Sequence, residues 1–331
     1  MKNQLNVLII GAGNIGAFYD DPHSKNILTH AHAFTKHKGF NLLGFVDTNQ
    51  KKAERAAAIW KASAFSTTTE AFNQKGVDVA VVATPDEHHY EILEKISRFP
   101  VKLVLAEKPF VKNTTEAKEI LRIYQKKKIP GVVNYTRRFV PEFAKIKESI
   151  LKDKYGTFIT GSGYYGKGII HNGSHLIDLL GWLIGKVQSQ QIIQTFFDFN
   201  KDDPSVSAVL KLKENRPFFL QAINCRLFSI FELDLVFARK RIIIKDLGQT
   251  IEEYAVEKSK IYKGYQYLSN PKRIKTSLFQ SLYFTAENIY QFLTKGEKLK
   301  CTLRQGYETL KTCSDIIKES KKERSYGKVS H

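Results

Sequence analysis

Short apolar runs alternate with helical patterns from residue 5 to about residue 125. Leu5–Ile10, 42–46, 77–83 and 101–106 each have the length and apolar content of a strand, and the last two are apolar almost throughout, as central parallel strands are. The stretch from Ala17 is expected to open a helix, and 51–61 is Ala-rich and helical. Residues 116–128 place Ala117, Ile120, Leu121 and Tyr124 at helical spacing, leading through Pro130 into a strand over 131–135. Strand and helix in alternation imply parallel strands joined by crossover helices, a doubly wound α/β Rossmann sheet.

After Arg138 the pattern changes. Pro141–Leu151 reads as a helix and 157–165 as a strand, after which His171-Asn172-Gly173-Ser174-His175 leads into an apolar helix. Strands over 192–199, 205–212, 218–225, 231–238 and 239–245 follow, separated by turn-rich segments such as Lys201-Asp202-Asp203-Pro204. Helices return over 278–293 and 306–320. Strands in succession point to an α+β domain with a largely antiparallel sheet. The expected division is a Rossmann domain over 1–128 and a substrate and oligomerisation domain over 129–331, with the terminal helices packing back on the first domain. At 331 residues the chain exceeds the usual reach of one core, which agrees with two domains.

Composition narrows the classes. Three cysteines at unhelpful spacings argue against a disulfide framework or a zinc site and for a reducing, cytoplasmic setting. The apolar N-terminal run is too short for a signal peptide and continues into a glycine motif, and no run reaches the roughly 20 residues a membrane span needs. The formal charge of +19 invites a nucleic-acid partner, but the excess lies in exposed-looking stretches such as Lys126-Lys127-Lys128, with no zinc-finger spacing or RNA-binding signature. Solvated faces are the favoured explanation, with an acidic substrate as a second use of the charge.

Two motifs carry the chemistry. Gly11-Ala12-Gly13-Asn14-Ile15-Gly16 follows the first strand, so Gly11, Gly13, Asn14, Ile15 and Gly16 are placed at a dinucleotide pyrophosphate. Asp47, at the end of the second strand, is expected on the adenosine ribose and favours NAD over NADP, because its carboxylate repels a 2′-phosphate. Its spacing from the glycines is longer than usual, and the excess is assigned to 19–30, a polar insertion expected to form a loop over the cofactor. Thr84, Pro85 and His88 end the third clear strand and are placed beside the cofactor. Glu107-Lys108-Pro109 ends the fourth, where Lys108 can polarise a substrate oxygen.

The glycine motif, Ala83-Thr84-Pro85 with His88, Glu107-Lys108-Pro109, Arg138 and the segment from His171 to Asp178 together resemble the glucose-fructose oxidoreductase, inositol dehydrogenase and MocA family over nearly the whole chain. The resemblance implies a Rossmann domain followed by an open sheet often used for oligomerisation, here as a homodimer or homotetramer. It also implies hydride transfer between NAD(P) and a sugar, polyol or nucleotide-sugar, with bacterial surface-glycan synthesis as the analogous setting. Lys108 matches the family's motif lysine and His175 its histidine acid or base, while Glu107 and Pro109 shape the nicotinamide site. Beside these, His171, Asn172, Tyr165 and Arg138 are candidates for binding substrate.

One departure stands out: many members carry an aspartate four residues before the catalytic histidine, and this chain has His171 there. His171 and His175 share a helix face if the helix starts early, though Gly173 stands against that, and without a third ligand a metal site is not expected. Alternatives to the dehydrogenase reading are a non-catalytic NAD-binding sensor or scaffold and a redox-neutral enzyme with tightly held NAD.

Overall fold

The computed structural model describes residues 4–74 and 76–326. The chain divides into two units: 1–140 with 279–308, and 141–278 with 309–331.

In the first unit, β1 (Leu5–Ile10), β2 (Phe40–Val46), β3 (Ser63–Phe65), β4 (Val79–Val82), β5 (Leu103–Ala106) and β6 (Gly131–Val133) form one parallel sheet ordered β3-β2-β1-β4-β5-β6. Every residue of β4 and β5 is buried, as their unbroken apolar sequence requires of central strands. Helices α1 (His30–Lys36), α2 (Gln50–Trp60), α3 (Thr68–Gln74), α4 (His89–Ile96) and α5 (Thr114–Lys127) alternate with the strands. The Asn113 side chain caps α5 by accepting from the backbone N–H groups of Thr115 and Glu116, and Asn49 caps α2 through Lys52 N–H.

The first crossover departs from expectation. No long helix starts at Ala17; Asn14–Phe18 makes one π-helical turn, closed by Tyr19 N–H on Asn14 O. Pro22 stands where a helix would need a backbone donor, and the Asp20 carboxylate folds the segment by accepting from Leu28 N–H, Thr29 Oγ1 and His32 Nδ1. The insertion is thus an ordered loop ahead of the short α1.

The second unit contains α6 (Pro141–Leu151), β7 (Phe158–Tyr165), α7 (Ser174–Leu183), β8 (Ser189–Asn200), β9 (Asp203–Lys211), β10 (Pro217–Ala222), β11 (Phe231–Phe237), β12 (Lys240–Lys245), β13 (Thr250–Lys258), β14 (Gln266–Leu268) and β15 (Lys272–Lys275). The strands form one sheet ordered β14-β13-β12-β11-β7-β10-β9-β8, with β15 beside β13; only β7 and β10 pair in parallel. It is the open, largely antiparallel sheet expected, extended by three strands after residue 249 that the hydrophobic pattern did not predict.

Two helices follow: α8 (Ser281–Lys295), in the first unit, and α9 (Leu303–Tyr326), whose first residues belong to the first unit and the rest to the second. The division therefore differs from an expected break after residue 128. Residues 131–133 add β6 to the edge of the parallel sheet, and 279–308 return to that unit.

Candidate functional site

The parallel sheet reverses strand order between β1 and β4, and ligands of such sheets lie beyond the carboxyl ends of the strands at that reversal. The glycine loop leaves β1 there. Gly11 has φ of +105°, and a Cβ on it would lie 2.6 Å from the Ala83 backbone; on Gly16 a Cβ would lie 2.2 Å from Gly11 O. These two glycines let loop, turn and strand approach closely. Gly13 differs, because a Cβ there would enter open space, which suits a residue over which a pyrophosphate passes.

Asp47 Oδ2 accepts from Ala12 N–H at 2.9 Å and Oδ1 from Asn49 N–H at 2.8 Å, so the carboxylate ties the glycine loop to the end of β2. Each oxygen keeps a further lone pair for a ribose hydroxyl. Thr84, after β4, has a buried Oγ1 with no hydrogen-bond partner. A buried hydroxyl left unpaired costs free energy, so Thr84 fits a ligand that supplies the missing partner. The open space at Gly13, Asp47 and this orphaned hydroxyl together fit a dinucleotide.

His88, expected beside the cofactor, is exposed in the turn before α4. Its neighbour His89 is buried and places Nδ1 2.8 Å from Pro109 O and Nε2 2.9 Å from Thr84 O. It joins the segments that follow β4 and β5, a role the sequence did not suggest.

Glu107, Lys108 and Pro109 follow β5, with Lys108 partly exposed. The Glu107 Oε1 accepts from His30 Nε2 at 2.8 Å and from Asn134 Nδ2 at 2.7 Å, and Thr285 Oγ1 donates to Asn134 Oδ1 at 3.3 Å. Burial alone would raise the Glu107 pKa, but the hydrogen bond and charge of His30, the Asn134 amide and the Lys108 charge outweigh it and hold the carboxyl below its ordinary range. An ionised Glu107 thus lies directly before Lys108. Arg138 is buried in the turn Thr136–Arg138 that follows β6.

In the second unit, Gly168–Gly173 forms a π-helical turn that runs into α7. The helical path does start before His171, as the shared-face arrangement requires. His171, Asn172 and His175 are each partly exposed, while Gly173 and Ser174 are buried. The turn is pinned from the β8–β9 hairpin. Asp203 accepts from the N–H groups of Ile170 and His171, both at 2.8 Å, and Asp198 accepts from Lys167 N–H at 3.0 Å. Burial would raise the Asp198 pKa, but the N–H groups of Cys225 and Lys167 and the Ser205 hydroxyl hold it low. The Phe199 ring lies 4.7 Å from that of His171.

Tyr165 corrects an expectation. It is wholly buried, its hydroxyl donates to Val206 O at 2.9 Å and accepts from Val206 N–H at 2.7 Å, and burial pushes its pKa well above the usual value. Its position at the inward-facing end of β7 makes it a core residue with no hydroxyl to offer a sugar. Asp178 is buried and accepts from Thr309 Oγ1 at 3.0 Å.

Residues 5–135 match the model of the Gfo/Idh/MocA oxidoreductase family, described as having an NAD-binding Rossmann fold. Inositol 2-dehydrogenase 1 of Paenarthrobacter aurescens is 30% identical over 165 residues, 48% of this chain and 44% of that protein, so the chain spans less than half of this relative's length. The WlbA dehydrogenase of Bordetella pertussis, crystallised with NADH and UDP-GlcNAcA, has the same fold at TM-score 0.79 and 15% identity over 97% of each chain. UDP-N-acetylglucosamine 3-dehydrogenase of Acidithiobacillus ferrooxidans shares it at TM-score 0.76 and 16% identity, over 96% of this chain and 98% of that one. Among the described residues no helix is long and apolar enough to cross a membrane. Over residues 5–135 the chain is thus similar to the NAD-binding Rossmann domain of the Gfo/Idh/MocA oxidoreductases.

Proposed function

We propose that this chain is an NAD-dependent oxidoreductase acting on a hydroxyl-bearing carbon of a sugar, polyol or nucleotide-linked sugar. The observation that carries the reading is the placement of the glycine loop, Asp47, Thr84 and Lys108 at successive carboxyl ends of one parallel sheet. When bound, nicotinamide supplies the hydride acceptor or donor. His175 takes the proton of the substrate hydroxyl or returns it, since imidazole titrates near neutrality, and Lys108 stabilises the charge that develops on the oxygen. His171, Asn172 and Arg138 bind substrate. Gly11, Gly13, Asn14, Ile15 and Gly16 hold the pyrophosphate, and Asp47 selects NAD over NADP. Pro85, His88 and Pro109 line the cofactor.

The neighbours that act on or were crystallised with nucleotide-sugars support that substrate class, as does the chain's positive charge, and surface-glycan synthesis is the setting such a substrate implies. Homo-oligomerisation through the second unit's sheet is supported by Ile193, Phe197, Phe199 and Phe219, which are 63%, 44%, 47% and 46% exposed.

The test is NADH formation on a panel of polyols, sugars and nucleotide-sugars by the wild type and by Lys108→Ala, His175→Ala and Asp47→Ala. Turnover should fall at least ~100-fold in the first two with NAD affinity kept, and Asp47→Ala should weaken NAD far more than NADP. Tight NAD binding without turnover on any substrate overturns the dehydrogenase reading; equal loss of both cofactors in Asp47→Ala overturns the ribose assignment.

A further inference from the structure

Beside α1 and α8 the first unit holds a cavity of about 580 Å³. It reaches from Ile27 and Gln280 to Gln4 and Gly39, where β1 and β2 begin, and none of its lining residues belongs to the glycine loop, Asp47 or Thr84. Its walls are aromatic. Tyr283 and Tyr290, two turns apart on α8, flank His37 with ring centroids 5.6 and 4.9 Å away. Gly39 N–H donates to His37 Nδ1 at 3.0 Å, so Nε2 carries the ring proton and donates to Glu287 Oε2 at 2.8 Å. His37 is therefore fully engaged and contributes a fixed ring face, while the Glu287 carboxylate is spent on His37 and Gln291 and held below its ordinary range by them.

The rim is cationic. Lys36 and Lys38 line the cavity and are exposed, and among the described residues neither forms an ion pair with a carboxylate. Stacking faces inside and two unspent ammonium groups at the mouth are complementary to a planar ring that carries a negative charge, and the volume lies within the range of about 300–1,000 Å³ found for small-molecule sites. We propose that this cavity is a second ligand site, separate from the dinucleotide site, for a small aromatic anion, with its ring against the Tyr283–His37–Tyr290 cluster and its acidic group at Lys36 and Lys38. An aromatic carboxylate and an aromatic phosphate present the same two features to it.

The experiment is calorimetric titration of the full chain, saturated with NADH so that the cofactor site is filled, with anthranilate and separately with adenosine monophosphate. Saturable binding of either supports the site, and which one binds tells carboxylate from phosphate. The Lys36→Ala/Lys38→Ala double variant, which alters only exposed side chains, should bind at least tenfold more weakly with unchanged melting temperature and NADH affinity. Tyr290→Phe, which keeps the ring, should bind within about twofold of wild type. Failure of both probes to bind the NADH-saturated wild type, or equal binding by wild type and the lysine variant, overturns the proposal. Because the cofactor is held fixed and no turnover is read, these outcomes are independent of the dehydrogenase reading.

Discussion

The glycine loop of the first unit and the histidine turn of the second both carry proposed site residues on irregular backbone, yet they are held by different physics. The loop is fixed mainly by steric fit: Gly11 and Gly16 remove side chains where backbone meets backbone, and one carboxylate, Asp47, ties it down from 35 positions away. The turn is fixed by polar bonds to two carboxylates. Asp198 and Asp203 lie more than 30 positions beyond the N–H groups of Lys167, Ile170 and His171 that they accept from. A close approach tolerates almost no added atom, whereas a carboxylate on amides can be weakened in steps.

The sharpest way to break this comparison is Gly16→Ala. Its Cβ would sit 2.2 Å from a backbone oxygen that has nowhere to rotate, so the expected cost is about 3 kcal/mol, with NADH affinity falling at least ~100-fold. Thermal denaturation and fluorescence titration of NADH check both, and a variant with near-native affinity would show the loop to be pliable. Asp203→Ala comes next. It strips two amides of their acceptor at about 1 kcal/mol each, and Asp203→Asn, which keeps one oxygen, should recover about half the loss of melting temperature. Turnover should fall in both while NADH affinity stays native; a parallel loss of NADH affinity would show that the hairpin does more than hold the histidine turn.

Glu107→Gln has the smallest expected effect and depends on pH. The Glu107 carboxyl titrates below the ordinary glutamate value in the folded chain, so its contribution is complete above about pH 4.5 and disappears as pH falls through its lowered folded value. The gap in melting temperature between wild type and variant should therefore be a few degrees at neutral pH and close on acidification. A gap that is flat or widens towards acid would mean that Glu107 is not held ionised by His30 and Asn134.

What the sequence disclosed follows the same contrast. β4 and β5 were legible because strands buried on both faces must be apolar throughout, β1 because its last four residues are, and the glycine motif because its three glycines lie within six consecutive residues. The partners of Glu107 were not legible: His30 and Asn134 lie 77 and 27 positions away, and nothing in the local pattern of either announces a carboxylate. Asp203 was legible only as part of a turn, since Lys201-Asp202-Asp203-Pro204 has turn composition whatever its carboxylates bind. The same ambiguity misplaced Tyr165, whose position beside a glycine-rich, polar segment looked open, whereas strand alternation turns it inward. His88 and His89 show the limit most simply, because adjacent identical side chains go one to solvent and one to the interior according to where a short turn passes into helix.

The single carboxylate of Asp20 closes its loop onto Leu28, Thr29 and His32, gathering both ends of the insertion at one point. Closing a flexible chain grows more costly only with the logarithm of its length, about 0.6 kcal/mol for each doubling. Residues 21–26 are thus the place where this domain can gain or shed residues, or accept a grafted peptide, at little cost to the sheet behind them.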